Sequence, residues 1–212
     1  MYQDPDITIV YKNVVKKDTC KMILSRFIAA EMTEAETGLG RGEVAIAKDP
    51  EENYRLKYTD HFGRICYNLS PENPDFEYVM EKIDEYLPKT TDFTRVTFCQ
   101  IIQYPEGSWM NFHRDEAVET DTGTCLLFLN DNFRGGRLIL DGDIFTPSTG
   151  TLVSFNNNTQ RFHGVEPVLD GDRFVVAVWF DPGDIDEFNE LHPENEEPMK
   201  ATKTFNAVSI NV

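Results

Sequence analysis

The chain has 212 residues, 40% hydrophobic and 27% charged, with 20 basic against 37 acidic side chains. That length suits one domain with a sizeable core, and no run approaches the roughly eighteen apolar residues of a membrane span. A formal net charge of −17 argues against a nucleic-acid partner, whose phosphate backbone is gripped mainly by Lys and Arg clusters.

The start of the chain, MYQDPDITIVYK, lacks the basic-then-apolar layout of a secretory leader. Cys20, Cys66, Cys99 and Cys125 lie far apart with no CxxC pair, which reads as reduced thiols rather than a disulfide scaffold or zinc site. The expectation is a soluble, cytoplasmic protein.

In chain order, ITIVYKNVV (7–15) is β-branched and predicts a strand. Asp18 is placed to cap a helix in which Met22, Phe27, Ile28 and Met32 recur at roughly helical spacing. Residues 35–70 mix Gly with charges and give no clear element. Ser70-Pro71 opens a second predicted helix running to about Leu87, ended by Pro88.

From Asp92 onward the texture changes to eight short predicted strands, at 94–104, 110–115, 123–131, 136–140, 143–147, 150–155, 161–168 and 172–180. Turn residues such as EGS, NDNFRGG, DGD and LDGD separate them. Close spacing without helical crossovers predicts a sandwich or barrel rather than a parallel α/β sheet. Residues 181–198 then carry eight acids and no Lys or Arg, the pattern of a solvated loop with a short helix. The closing KTFNAVSINV is a candidate late strand. The expected organisation is one domain: supporting strands and helices over 1–90, a catalytic core over 91–182, and an acidic extension over 183–212.

Two of the four histidines fall among these strands. In His113-Arg114-Asp115 the first and third residues share a strand face, so an imidazole and a carboxylate project together. Asn111 shares that face, and Phe112 and Arg114 point away. With His163 on a later strand, two His and one carboxylate make the facial triad used for non-heme Fe(II), which leaves positions open for a bidentate 2-oxoacid and for O2.

A 2-oxoacid with a distal carboxylate requires a cation deeper in the pocket. Arg173 lies ten residues beyond His163, across an Asp170-Gly171 turn that predicts a hairpin. Arg173, Val175, Ala177 and Trp179 alternate onto one face, where the small residues leave room for a ligand. A planar guanidinium can grip a carboxylate bidentately.

At these residues the sequence resembles the Fe(II)/2-oxoglutarate-dependent dioxygenases, in their prolyl 4-hydroxylase and lysyl hydroxylase branch. QYPEGSWMNFHRD is similar to that branch's RYxxGxxYxxHxD, and GTCLLFLNDNFRGGRLIL to its strand and Gly-Gly loop. PSTGTLVSFNNNTQRFHGVEPVLDGDRFVVAVWF resembles its closing pattern. The resemblance implies a mainly β double-stranded β-helix, or jelly roll, with flanking N-terminal helices. It implies His113, Asp115 and His163 as iron ligands, and Arg173, Tyr104 and Thr124 as holders of the distal carboxylate of 2-oxoglutarate. A Tyr hydroxyl, a Thr hydroxyl and a guanidinium are suitable donors to a buried carboxylate.

The implied activity is hydroxylation of a C–H bond with Fe(II), 2-oxoglutarate and O2, giving succinate and carbon dioxide, with ascorbate a candidate accessory reductant. The implied substrate is a peptidyl prolyl or lysyl side chain. Three positions depart from the prolyl 4-hydroxylase pattern: Arg173 stands where Lys is usual, Met110 where a Tyr precedes the first ligand, and Asp181 where a His can follow the Trp. A free amino acid or other small molecule is therefore the alternative substrate, and a jelly-roll binding module without turnover is the alternative class.

Overall fold

The computed structural model describes residues 8–30, 57–60, 62–69, 71–84, 95–113, 123–146, 148–156, 162–181 and 207–211. In chain order these form β1 (Thr8–Lys12), α1 (Lys17–Ala29), β2 (Lys57–Thr59), β3 (Ile65–Asn68), α2 (Pro74–Ile83), β4 (Arg95–Tyr104) and β5 (Met110–His113). There follow β6 (Gly123–Phe128), β7 (Arg134–Gly135), β8 (Leu138–Leu140), β9 (Asp143–Phe145) and β10 (Leu152–Asn156). The last are β11 (His163–Val165), β12 (Val168–Asp170), β13 (Arg173–Asp181) and β14 (Ala207–Asn211).

All eight strands expected after Asp92 are present, with β7 and β12 as short additions. They divide between an eight-stranded sheet, in the order β14-β1-β10-β6-β13-β4-β3-β2, and a four-stranded sheet, β5-β11-β8-β9. β12 and β7 form a separate pair. The described strands thus make separate sheets rather than a closed barrel. The candidate late strand is β14, which joins β1 in parallel.

Strand alternation sorts the large sheet's side chains into two cores. Ile102, Tyr104, Phe128, Val153, Phe155, Val175 and Ala177 pack inward with Leu138, Leu140 and Val165 of the four-stranded sheet. Cys99, Ile101, Cys125, Leu127, Val176 and Val178 face the other way and pack with both helices. The N-terminal third therefore braces the back of the sheet whose front carries the inner cluster.

On α1 the buried stripe is Cys20, Ile23 and Phe27, while Met22 and Ile28 are exposed. The stripe is thus displaced around the helix from the expected one, because the i, i+3, i+7 set meets the sheet. Asp18 lies in the first turn without capping it and pairs with Lys21 at 3.3 Å. The far end of α1 is closed by Lys57, whose Nζ donates to the carbonyls of Phe27 at 2.9 Å and Ala30 at 3.2 Å. A cation there complements the helix dipole.

α2 begins three residues later than Ser70-Pro71 would place it. Asn73 is the cap, its Oδ1 accepting from the Asp75 amide at 2.8 Å, and Pro74 supplies the first turn. Arg26 reaches Asp75 at 2.6 Å, which ties the two helices together.

The hairpin expected across Asp170-Gly171 does not form. Gly171 makes the turn at φ +73°, but β12 on one side pairs with β7 and β13 on the other pairs with β4 and β6. The backbone groups of β12 are engaged by β7, so the turn carries the chain into the large sheet.

Candidate active site

Two strands of the small sheet bring the two strand-borne histidines together. β5 and β11 run antiparallel with His113 directly opposite His163, and the ring centroids are 4.4 Å apart. His163 is 8% exposed and lies against Phe155 of the inner cluster, with ring centroids 5.1 Å apart. The register breaks between His163 and Val165. Gly164 sits there because a Cβ would come within 3.1 Å of the Met110 carbonyl oxygen and 3.2 Å of that of Asn111.

His113 Nδ1 lies 2.8 Å from the Asn111 carbonyl oxygen. A carbonyl only accepts, so Nδ1 carries a proton; in the neutral ring that leaves the lone pair on Nε2, the tautomer a metal-binding imidazole uses. Phe112, on the opposite face as expected, is exposed and stacks on Phe162 at 6.1 Å. Asp115, the expected carboxylate ligand, lies outside the described residues.

Arg173 is the bulkiest fully buried side chain among the described residues, at 1% exposure. It stands opposite Tyr104 in the β4–β13 pair. Its guanidinium carbon lies 4.5 Å from the Tyr104 ring centroid and 5.1 Å from that of Phe128, and the group also hydrogen-bonds the Tyr104 hydroxyl. Nε and Nη1 have no hydrogen-bond partner. Burial pulls the arginine below its usual pKa; Tyr104 opposes that shift and Arg64 adds to it. A buried cation with unanswered donors costs free energy until an anion reaches it. The inner end of the site therefore presents a buried cation with two open donors.

Space for the Arg173 stem comes from the Gly135-Gly136 loop. Gly136 takes φ +57°, and a Cβ there would approach Arg173 Cδ to 3.1 Å and Val168 Cγ2 to 3.0 Å.

Thr124 is not brought to this place. It is buried and opposes Trp179 and Phe155 across its two neighbouring strands. Trp179 is six residues along β13 from Arg173, about 20 Å at ~3.3 Å per residue. That gap is too wide for one carboxylate to bridge, so the geometry joins Arg173 to Tyr104 and leaves Thr124 near the other end of the strand.

The sequence reading missed Arg64. Its Nη1 donates to the Tyr104 hydroxyl at 3.4 Å, and its Nε donates to Asp60 Oδ2 at 2.6 Å. Burial disfavours its charge, yet Tyr104, Cys66 and Asp60 together hold its pKa above the ordinary arginine value. The only local signal was an acid–base pair four apart, Asp60 and Arg64, inside the stretch that gave no clear element.

The site thus combines two histidines in register and a deeply buried arginine, carried on two packed β-sheets with helices behind. Residues 99–181 match the sequence model of the 2OG-Fe(II) oxygenase superfamily. Prolyl 3-hydroxylase 2 of Rattus norvegicus is 38% identical over 64 residues, 27% of this chain and 9% of that protein. The chain thus matches only about a tenth of that relative's length. In fold it is similar to the viral collagen prolyl hydroxylase of Paramecium Bursaria Chlorella virus-1, solved with 2OG, with TM-score 0.57 at 15% identity over 84% of this chain and 96% of that one. The Trichoplax adhaerens prolyl hydroxylase solved with a hypoxia inducible factor peptide gives TM-score 0.60 at 14% identity over 89% and 87%. Residues 99–181 thus carry the sequence pattern of that superfamily, and the chain is similar to prolyl hydroxylases in sequence over part of its length and in fold.

Proposed function

We propose that this protein is an Fe(II)- and 2-oxoglutarate-dependent dioxygenase that hydroxylates a prolyl-type C–H bond in a peptide. The observation that carries this reading is Arg173, with unanswered Nε and Nη1 donors, set in the same sandwich as the paired His113 and His163. The donor set fits both groups. His113 and His163 would hold iron, with Asp115 as the proposed third ligand, and Arg173 with Tyr104 would hold the distal carboxylate of 2-oxoglutarate. When bound, the metal and oxoacid supply oxygen activation coupled to oxidative decarboxylation.

The protein's own part is placement. The Nδ1 contact of His113 fixes the imidazole tautomer, and Phe128 and Phe155 line the inner cluster with apolar surface that excludes water. We further propose a double-stranded β-helix core over 91–182, supported by 1–90, with 183–212 as an acidic extension. The four cysteines are free and buried, in keeping with a cytoplasmic site of action. No helix among the described residues is long and apolar enough to cross a membrane.

The test is succinate release from 2-oxoglutarate with added Fe(II), then mass gain of one oxygen on proline-rich and lysine-containing peptides and on free amino acids. Oxygen gain on a prolyl peptide supports the proposal. Gain only on a free amino acid replaces the substrate, and no succinate with any acceptor makes the protein a binding module. Omission and replacement of ascorbate in the same assay establishes whether it serves as the accessory reductant.

A further inference from the structure

The Tyr104 hydroxyl is shared by two guanidiniums. Arg64 Nη1 donates to its oxygen at 3.4 Å, and Arg173, whose guanidinium carbon lies 4.5 Å from the ring centroid, bonds the same hydroxyl. A phenol oxygen has two acceptor sites and one proton. With both acceptor sites facing guanidiniums, which can only donate, the proton must point elsewhere. The unanswered donors of Arg173 mark where a carboxylate would receive it.

Arg64 is itself tightly held. Asp60 Oδ2 takes its Nε at 2.6 Å, while Asp60 Oδ1 accepts from the backbone amides of Phe62 at 2.9 Å and Arg64 at 3.0 Å. Both carboxylate oxygens are engaged in a turn closed by the Asp60 amide donating to the Arg64 carbonyl at 2.9 Å. Because Asp60 balances the charge of Arg64, the pair adds direction to Tyr104 without a second unpaired cation. β3 follows at once, with Ile65 opposite Gln103 of β4, so sheet register delivers Arg64 beside Tyr104.

From this geometry we infer that Arg64 is a positioning residue for the oxoacid cosubstrate: anchored by Asp60, it orients the Tyr104 hydroxyl so that its proton is donated to the carboxylate held by Arg173. The inference rests on the function proposed above and adds to it a residue from outside the strand-borne motif. Arg64 need not touch the cosubstrate.

The test is a double-mutant cycle on 2-oxoglutarate binding, measured calorimetrically in the anaerobic, iron-loaded protein. Arg64→Lys keeps a cation for Asp60, so the turn stays paired, but one ammonium cannot reproduce the fork that joins Asp60 to Tyr104. Arg64→Lys and Tyr104→Phe should each weaken binding, on the order of tenfold for a lost hydrogen bond to a charged group. The double variant should be no weaker than Tyr104→Phe alone, because Arg64 acts through the hydroxyl. Turnover at saturating 2-oxoglutarate should stay near wild type in Arg64→Lys while KM for the oxoacid rises. Equal losses from Arg64→Lys with and without the Tyr104→Phe change, or wild-type affinity in Arg64→Lys, would overturn the role of Arg64. Absence of 2-oxoglutarate binding in the wild-type protein would instead overturn the cosubstrate reading on which that role depends.

Discussion

His113 and His163, fifty residues apart in sequence, stand directly opposite each other across β5 and β11 with ring centroids 4.4 Å apart. The pairing positions two imidazoles by backbone register, so it survives loss of either side chain. His113→Ala or His163→Ala should leave the fold intact and remove bound iron, because too few ligands remain to hold Fe(II) in fixed orientation. Metal content after desalting, read beside circular dichroism, checks this. Full iron occupancy and succinate formation in either variant would remove the two-histidine assignment.

Substitutions at Arg173 should separate cosubstrate binding from metal binding. Arg173→Leu leaves the carboxylate facing an apolar wall, a loss on the order of 3–5 kcal/mol by analogy with a broken buried ion pair, or hundreds-fold in affinity or more. Arg173→Lys keeps the charge without the fork and should cost less. Without ligand, Arg173→Leu should melt no lower than wild type, since the native guanidinium has two unanswered donors. Calorimetry and thermal melts with and without 2-oxoglutarate decide it. Wild-type affinity in Arg173→Leu would mean that the cation lies elsewhere.

Gly136→Ala tests the room made for that arginine. The added Cβ meets Arg173 Cδ at 3.1 Å at a position with φ +57°, so a loss of about 1–2 kcal/mol in stability is expected from backbone conformation alone. Affinity for 2-oxoglutarate should fall as well, while iron binding through His113 and His163 stays. A variant that melts and binds 2-oxoglutarate like wild type would show that the loop does not shape the Arg173 pocket.

The thiols are packing groups. Cys99 and Cys125 face the helices, away from Tyr104 and Thr124, and Cys99→Ser and Cys125→Ser should each retain iron and turnover. Burial pushes Cys66 and Cys125 from an ordinary 9.0 up to about 12, so neither should react with alkylating reagents in the native state near neutral pH. The unfolded chain releases these protons above about pH 9 and the folded chain holds them. Stability is therefore unaffected by these thiols below pH 9 and falls as pH rises toward 12, by about 1.4 kcal/mol per pH unit per thiol. Urea unfolding should give a stability about 1.4 kcal/mol per thiol lower at pH 10 than at pH 8, with a smaller difference in Cys125→Ala. Rapid native-state alkylation of either thiol would contradict the burial.

Sequence alone determined what depends on local chemistry. Alternating apolar residues and turn glycines marked the eight strands after Asp92, because strand periodicity and positive-φ turns are properties of neighbours in the chain. The same locality singled out His113, His163 and Arg173. What only tertiary structure decided was which strands meet and in what register. The Asp170-Gly171 turn looked like a hairpin, yet β7 takes β12, and the turn leads the chain to the other sheet. Thr124 carried a suitable hydroxyl, but the β6–β13 register sets it opposite Trp179, far along the strand from Arg173. Arg64 stood in a stretch without readable periodicity and gained its place only when β3 paired with β4. Backbone hydrogen bonds between strands carry no side-chain identity, and a shift of one residue reverses every face. Register is therefore fixed by the packing of the whole sandwich.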